Sequence, residues 1–114
     1  MFQAGQGIYG RIRFTDGTLP DYDRAYLVVT VSNDRIGVLN VSSVAGKESK
    51  LLYPTNKLIN KYFPPFPKRS FVKLDSLVYV SVSEMSNIRT LSNGDLMDPA
   101  ELNSILKELN LVSA

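Results

Sequence analysis

Near its start the chain alternates apolar and polar positions with a period of two. In Gly7 to Phe14, the positions Ile8, Gly10, Ile12 and Phe14 fall on one side and Tyr9, Arg11 and Arg13 on the other. That is the pattern of a half-buried strand. Thr15 to Asp23 is rich in turn formers and is predicted as a connecting loop. Ala25 to Val31 is a β-branched run suited to a buried central strand, and Ser32-Asn33-Asp34 ends it. Ile36 to Val41 follows as its antiparallel partner. Ser70 to Val82 is long enough for one bent strand or for two, and Ile88 to Leu91 adds a short further strand.

Tyr53 to Pro67 breaks this rhythm. Pro54, Pro64, Pro65 and Pro67 exclude a central strand, so the segment is predicted as a surface excursion with one helical turn at Asn56 to Lys61. Loops of this length are uncommon unless they bind something or are disordered. The C-terminus carries the one clear helix. Asp98 is a good N-cap, Pro99 fits the first helical position, and Glu101 completes a capping-box spacing. Leu102, Ile105, Leu106 and Leu109 then form one apolar stripe that packs on the strands or on another subunit. Short strands, turn-rich connections and one closing helix predict a single domain over residues 1–114. Its fold class is mainly β with one C-terminal α-helix, as a small, strongly bent SH3-like barrel.

Composition changes the picture chiefly by what is missing. With 0 cysteines there is no disulfide framework, and with 0 histidines the commonest general base is absent. A zinc site would need carboxylates alone, so no metal and no cofactor are expected. Catalysis is left to Arg, Lys, Asp, Glu, Tyr, Ser or Thr, to backbone groups, or to the substrate itself. No apolar run approaches the ~20 residues of a membrane span. The N-terminus has neither a basic start nor an apolar stretch, so no signal peptide is read and a cytoplasmic protein is expected.

The net charge of +2 is unevenly spread. Lys47, Lys50, Lys57, Lys61, Lys68, Arg69 and Lys73 stand against the single acid Glu48, with Tyr53, Tyr62, Phe63, Phe66 and Phe71 interleaved. A polyanion-binding face has this make-up, and so has a solvated lysine-rich loop, which composition alone favours.

The order of five elements resembles the MazF/PemK family of toxin endoribonucleases over nearly the whole chain. A glycine-led strand and loop come first. An arginine then opens a β-branched strand at Arg24-Ala25-Tyr26-Leu27-Val28-Val29, and a hydroxyl-bearing strand end follows at Asn40-Val41-Ser42-Ser43. Ser70 to Leu77 matches a Ser-x-Val-x-Leu-Asp-x-Ile element, and Leu91-Ser92 precedes a helix of leucine spacing. Ala25 stands where the family usually has proline, Ser42 where it has threonine, and Ser76 where glutamine is frequent. Ser42 keeps the hydroxyl but lacks the methyl that restricts its rotamer.

The resemblance implies a metal-independent endoribonuclease, the toxin of a type II toxin–antitoxin pair, that cuts single-stranded mRNA at a short sequence. It also implies a homodimer and a cognate antitoxin protein. Arg24 and Ser42 are then the catalytic pair, and Ser43, Lys47, Arg69 and Ser76 bind substrate. Arginine suits the role because its planar fork grips two phosphate oxygens and stays charged. Lys73 is a further candidate for the RNA backbone, and Tyr or Phe rings for stacked bases. From the residues alone, the favoured reading of Arg24 is a surface residue paired with Asp21 or Asp23, and Ser42-Ser43 can equally be an ordinary strand end. Asp75 reads as a structural hydrogen-bonding residue. The competing functional class is a non-catalytic SH3-like module that binds nucleic acid or protein. A gyrase-poison relative is disfavoured, because such chains end in Trp-Gly-Ile and this one has no tryptophan.

Overall fold

The computed structural model describes residues 2–14 and 16–113, with side chains described as far as Asn110. Thr15, at the head of the expected loop, and Ala114 lie outside the described residues. Among the described residues seven strands are formed: β1 (Gly7–Gly10), β2 (Arg24–Val31), β3 (Arg35–Ser43), β4 (Asn56–Leu58), β5 (Ser70–Lys73), β6 (Val78–Ser81) and β7 (Arg89–Thr90). One helix, α1 (Pro99–Ser113), follows them. The strands run in the order β4-β5-β3-β2-β1-β7, every pairing is antiparallel, and β6 also joins β3. No pairing joins β4 to β7, so the described ladder is an open sheet.

The two central strands behave as their composition demands. Tyr26, Leu27, Val28 and Val29 are all buried, as are Ile36, Val38, Leu39 and Val41 on β3. A bulge between Val28 and Thr30 bends this pair. On one face Leu27, Leu39, Val41 and Val72 meet Ile105 and Leu109 of α1; on the other Ile8, Tyr26, Val28 and Val38 meet Ile12 and Met85. The helix stripe is therefore docked on the chain's own sheet, with Leu102 and Leu106 packed at its margin.

β1 is shorter than the alternation predicts. The ladder ends at Gly10, which has φ +156° and lies so close to Ile88 that a Cβ there would be 2.4 Å from its Cδ1. Ile12 stays buried beyond the strand, whereas Phe14 is 44% exposed.

The Ser70–Val82 stretch forms two strands that lie end to end along β3. β5 pairs with Val41–Ser43 and β6 with Arg35–Val38. Ser76 bridges the gap between them: its hydroxyl accepts the Asn40 amide at 2.8 Å and donates to the Lys73 carbonyl at 2.6 Å.

Two local expectations are corrected. Asn56 to Leu58 is an edge strand on β5 rather than a helical turn, and the helical turn sits earlier, as a 3-10 helix over Glu48–Leu52. Glu101 makes only half of a capping box. Asp98 Oδ2 accepts the Glu101 amide at 3.1 Å, as an N-cap should. The Glu101 carboxylate instead accepts the amides of Asn60 and Lys61, each at 3.0 Å, and so ties the proline-rich excursion to the helix. The excursion also sends Ile59 and Phe66 into the core. It passes so close to β1 that a Cβ at Gly7 would meet Pro65 Cγ at 2.8 Å.

Candidate functional site

Arg24 is the first residue of β2, and its side chain lies against two rings. Its guanidinium carbon is 4.5 Å from the Tyr22 ring centroid and 5.5 Å from that of Phe14. Stacking engages the faces of a guanidinium and leaves its in-plane donors for another group. The neighbouring aspartate is engaged elsewhere, since Asp23 pairs with Arg11 at 3.7 Å. Among the described residues no carboxylate forms an ion pair with Arg24, and its Nε is buried without a hydrogen-bond partner.

One step beyond the Ala25–Val41 pair, the β2–β3 register sets Arg24 across from Ser42. Ser42 and Ser43 close β3, and the loop that follows returns Lys47 over the strand end. There Lys47 Nζ donates to Ser42 Oγ at 2.9 Å. Arg24, Ser42, Ser43 and Lys47 line a single open groove of about 460 Å³. Four of the six residues expected to act on substrate thus share one surface.

The other two do not. Ser76 is committed to Asn40 and Lys73, a structural clip between β3 and the β5–β6 turn. Arg69 is exposed, lies outside the groove lining, and contributes its carbonyl to the Val44 amide at 2.9 Å.

The groove also gathers residues outside the six expected to act on substrate. Tyr9 and Arg89 stand opposite each other on β1 and β7, with the Arg89 guanidinium carbon 4.7 Å from the Tyr9 ring centroid. Tyr22, Asn40 and Lys68 complete the polar wall. Only the pairing of β7 with β1 brings Arg89 here, and no local pattern announces which strand takes the outer edge. The basic-aromatic alternation around Lys68 was the one available signal for that side.

Electrostatics separate this groove from the larger one on the molecule. A cleft of about 910 Å³ carries Arg11 and Arg13 against Asp23 and Glu84, a balanced set beside Phe14, Leu19 and Tyr79. The smaller groove carries Arg24, Lys47, Lys68 and Arg89 against Asp23 alone, and Asp23 already pairs with Arg11. Lys73, on the neighbouring strand, registers the resulting field. Burial, and then the charges of Arg24, Lys47 and Lys50, hold its ammonium below the ordinary lysine value, against an opposing pull from Asp75.

The groove thus combines four basic side chains, the hydroxyls of Ser42 and Ser43 and the rings of Tyr9, Tyr22 and Phe66 on one surface, a make-up chemically suited to phosphates and planar groups. No helix among the described residues is long and apolar enough to cross a membrane. Neither protein-family models nor curated proteins match the chain.

Proposed function

We propose that the protein is a metal-independent endoribonuclease of the MazF/PemK type, acting on single-stranded RNA in the Arg24–Ser42 groove. The observation that carries this reading is the state of Arg24. It lies against two rings, has no carboxylate partner among the described residues, and faces a strand end whose hydroxyl already accepts from a lysine. A charge kept unpaired beside aromatic rings is suited to an incoming phosphate.

In the proposed reaction the RNA's own 2′-oxygen attacks the adjacent phosphorus as its proton leaves. The P–O bond to the 5′-oxygen breaks, and that oxygen takes up a proton. The products are a 2′,3′-cyclic phosphate and a 5′-hydroxyl. Arg24 grips the two non-bridging oxygens where charge develops, and Ser42 donates to the same group. One such donor is typically worth ~10²–10³ in rate. Lys47 and Lys68 hold the strand through its phosphates.

This reading brings with it the rest of the family's character: a toxin role, a cognate antitoxin protein, a homodimer, and a sheet curved as an SH3-like barrel of the PemK kind. The bulged, bent β2–β3 pair and the single docked helix are in keeping with that curvature. The test is incubation of purified protein with single-stranded RNA in EDTA, followed by analysis of the product ends. Cyclic phosphate termini at a recurring short sequence are expected. Salt-sensitive RNA binding with no cut ends would instead identify a non-catalytic nucleic-acid module.

A further inference from the structure

Arg89 repeats at the sheet edge the arrangement seen at Arg24. It lies on a ring, with its guanidinium carbon 4.7 Å from the Tyr9 centroid, and among the described residues it forms no ion pair with a carboxylate. Its strand is fixed by the two residues that follow it. The Leu91 amide donates to the Gly7 carbonyl at 2.8 Å, and the Ser92 hydroxyl donates to the Pro65 carbonyl at 2.9 Å. A guanidinium held over a ring on a tied-down strand is pre-organised. The strand order β2-β1-β7 separates the backbones of Arg24 and Arg89 by two strand spacings, roughly 10 Å. Both line the same groove, and no acidic residue but Asp23 lines it with them.

We propose that the Arg89–Tyr9 pair is a second phosphate anchor, so that the groove grips a single strand at two phosphates rather than one. Arg24 takes the reacting phosphate and Arg89 a flanking one. The inference rests on the nucleic-acid reading of the groove but not on cleavage. A lone phosphate or a mononucleotide would fill only half of the site, and the ligand class is an oligonucleotide.

The test uses a fluorescent 2′-O-methyl octaribonucleotide, which cannot be cut because its 2′-oxygen is blocked, and a 2′-O-methyl dinucleoside monophosphate with a single phosphodiester. Binding is read by anisotropy for the octamer and by competition for the short probe, across a series of salt concentrations. Arg89→Gln is expected to weaken octamer binding and to reduce the slope of log affinity against log salt by about 0.7, one phosphate contact on a single strand. Affinity for the one-phosphate probe should not change. Arg89→Lys should keep the slope, and Arg24→Gln should weaken both ligands. An unchanged slope in Arg89→Gln, equal losses on both probes, or a slope lost in Arg89→Lys overturns the second anchor. If Arg24→Gln weakens binding while Arg89→Gln does not, the inference fails and the groove reading stands. If the parent binds neither probe, both fall. If Arg89 behaves as expected but RNA is never cut, the anchor stands and the nuclease reading fails.

Discussion

Lys47 Nζ donates a hydrogen bond to Ser42 Oγ at 2.9 Å, at the end of β3 and across from Arg24. A hydroxyl offers one proton and two lone pairs. The ammonium occupies a lone pair, so the hydroxyl proton is left to be donated, and the adjacent positive charge makes it a better donor. Ser42→Ala should therefore slow RNA cleavage by about 10–100-fold, the equivalent of a hydrogen bond to a charged group. Ser42→Thr should retain most of the rate. Lys47→Met should weaken RNA binding and lower the rate less than Ser42→Ala does. Single-turnover rates settle this, and a Ser42→Ala rate equal to the parent's would return Ser42 to an ordinary strand end.

Ser76 is predicted to behave in the opposite way. Its hydroxyl serves Asn40 and Lys73 and is spent on the fold. Ser76→Ala should lower stability by about 1–3 kcal/mol, because the Asn40 amide loses its acceptor. RNA affinity of the folded fraction should be unchanged. Urea unfolding together with anisotropy checks both halves; a selective loss of RNA binding would make Ser76 a substrate contact.

The contrast between these two serines shows how far sequence reading reaches. The β2 and β3 runs and the α1 stripe were legible because burial on a sheet face or a helix face imposes a period of its own. The clustering of Arg24, Ser42, Ser43 and Lys47 followed from the order of elements. Ser76 carried the same residue type and a motif position, yet its partner amide is 36 residues away at a break in the ladder, which no local pattern reports. β4 was missed for the same reason, since three residues with no strong β-forming run pair with β5 only through tertiary contact. Arg89 entered the groove through topology, and Glu101 found Asn60 and Lys61 in place of its own N-cap.

Glu101 clamps the excursion to α1. Glu101→Ala should cost about 1.5–3 kcal/mol through loss of hydrogen bonds to a charged acceptor, and Glu101→Gln roughly half as much, because one carbonyl oxygen remains. Hydrogen exchange should accelerate at Asn60 and Lys61 in both variants. Unchanged protection there would remove the clamp from the account.

Tyr26 gives the fold a signature in alkali. Burial, partly offset by a backbone hydrogen bond at Ile12 and by the Arg24 charge, holds its phenol above the ordinary value of 10.0. The folded state thus favours the protonated form. That contribution is complete below pH 10 and is lost as pH rises through the folded value. Its hydroxyl reaches the Ile12 carbonyl only at 3.5 Å, a weak contact. Tyr26→Phe should cost under about 1 kcal/mol at pH 7. Above pH 10 it should lose stability less steeply than the parent. Parallel pH profiles in urea unfolding would contradict this.

Substitution of Arg24 tests the proposed chemistry most directly. Single-turnover cleavage of single-stranded RNA in EDTA should fall by about 10²–10³ in Arg24→Ala. It should stay well below the parent in Arg24→Lys, which keeps the charge but not the fork. The melting temperature should change little, because loss of the two ring contacts is offset by removal of the buried, unbonded Nε. A parent that leaves RNA intact, or an Arg24→Ala variant that cuts at the parent's rate, would contradict the account.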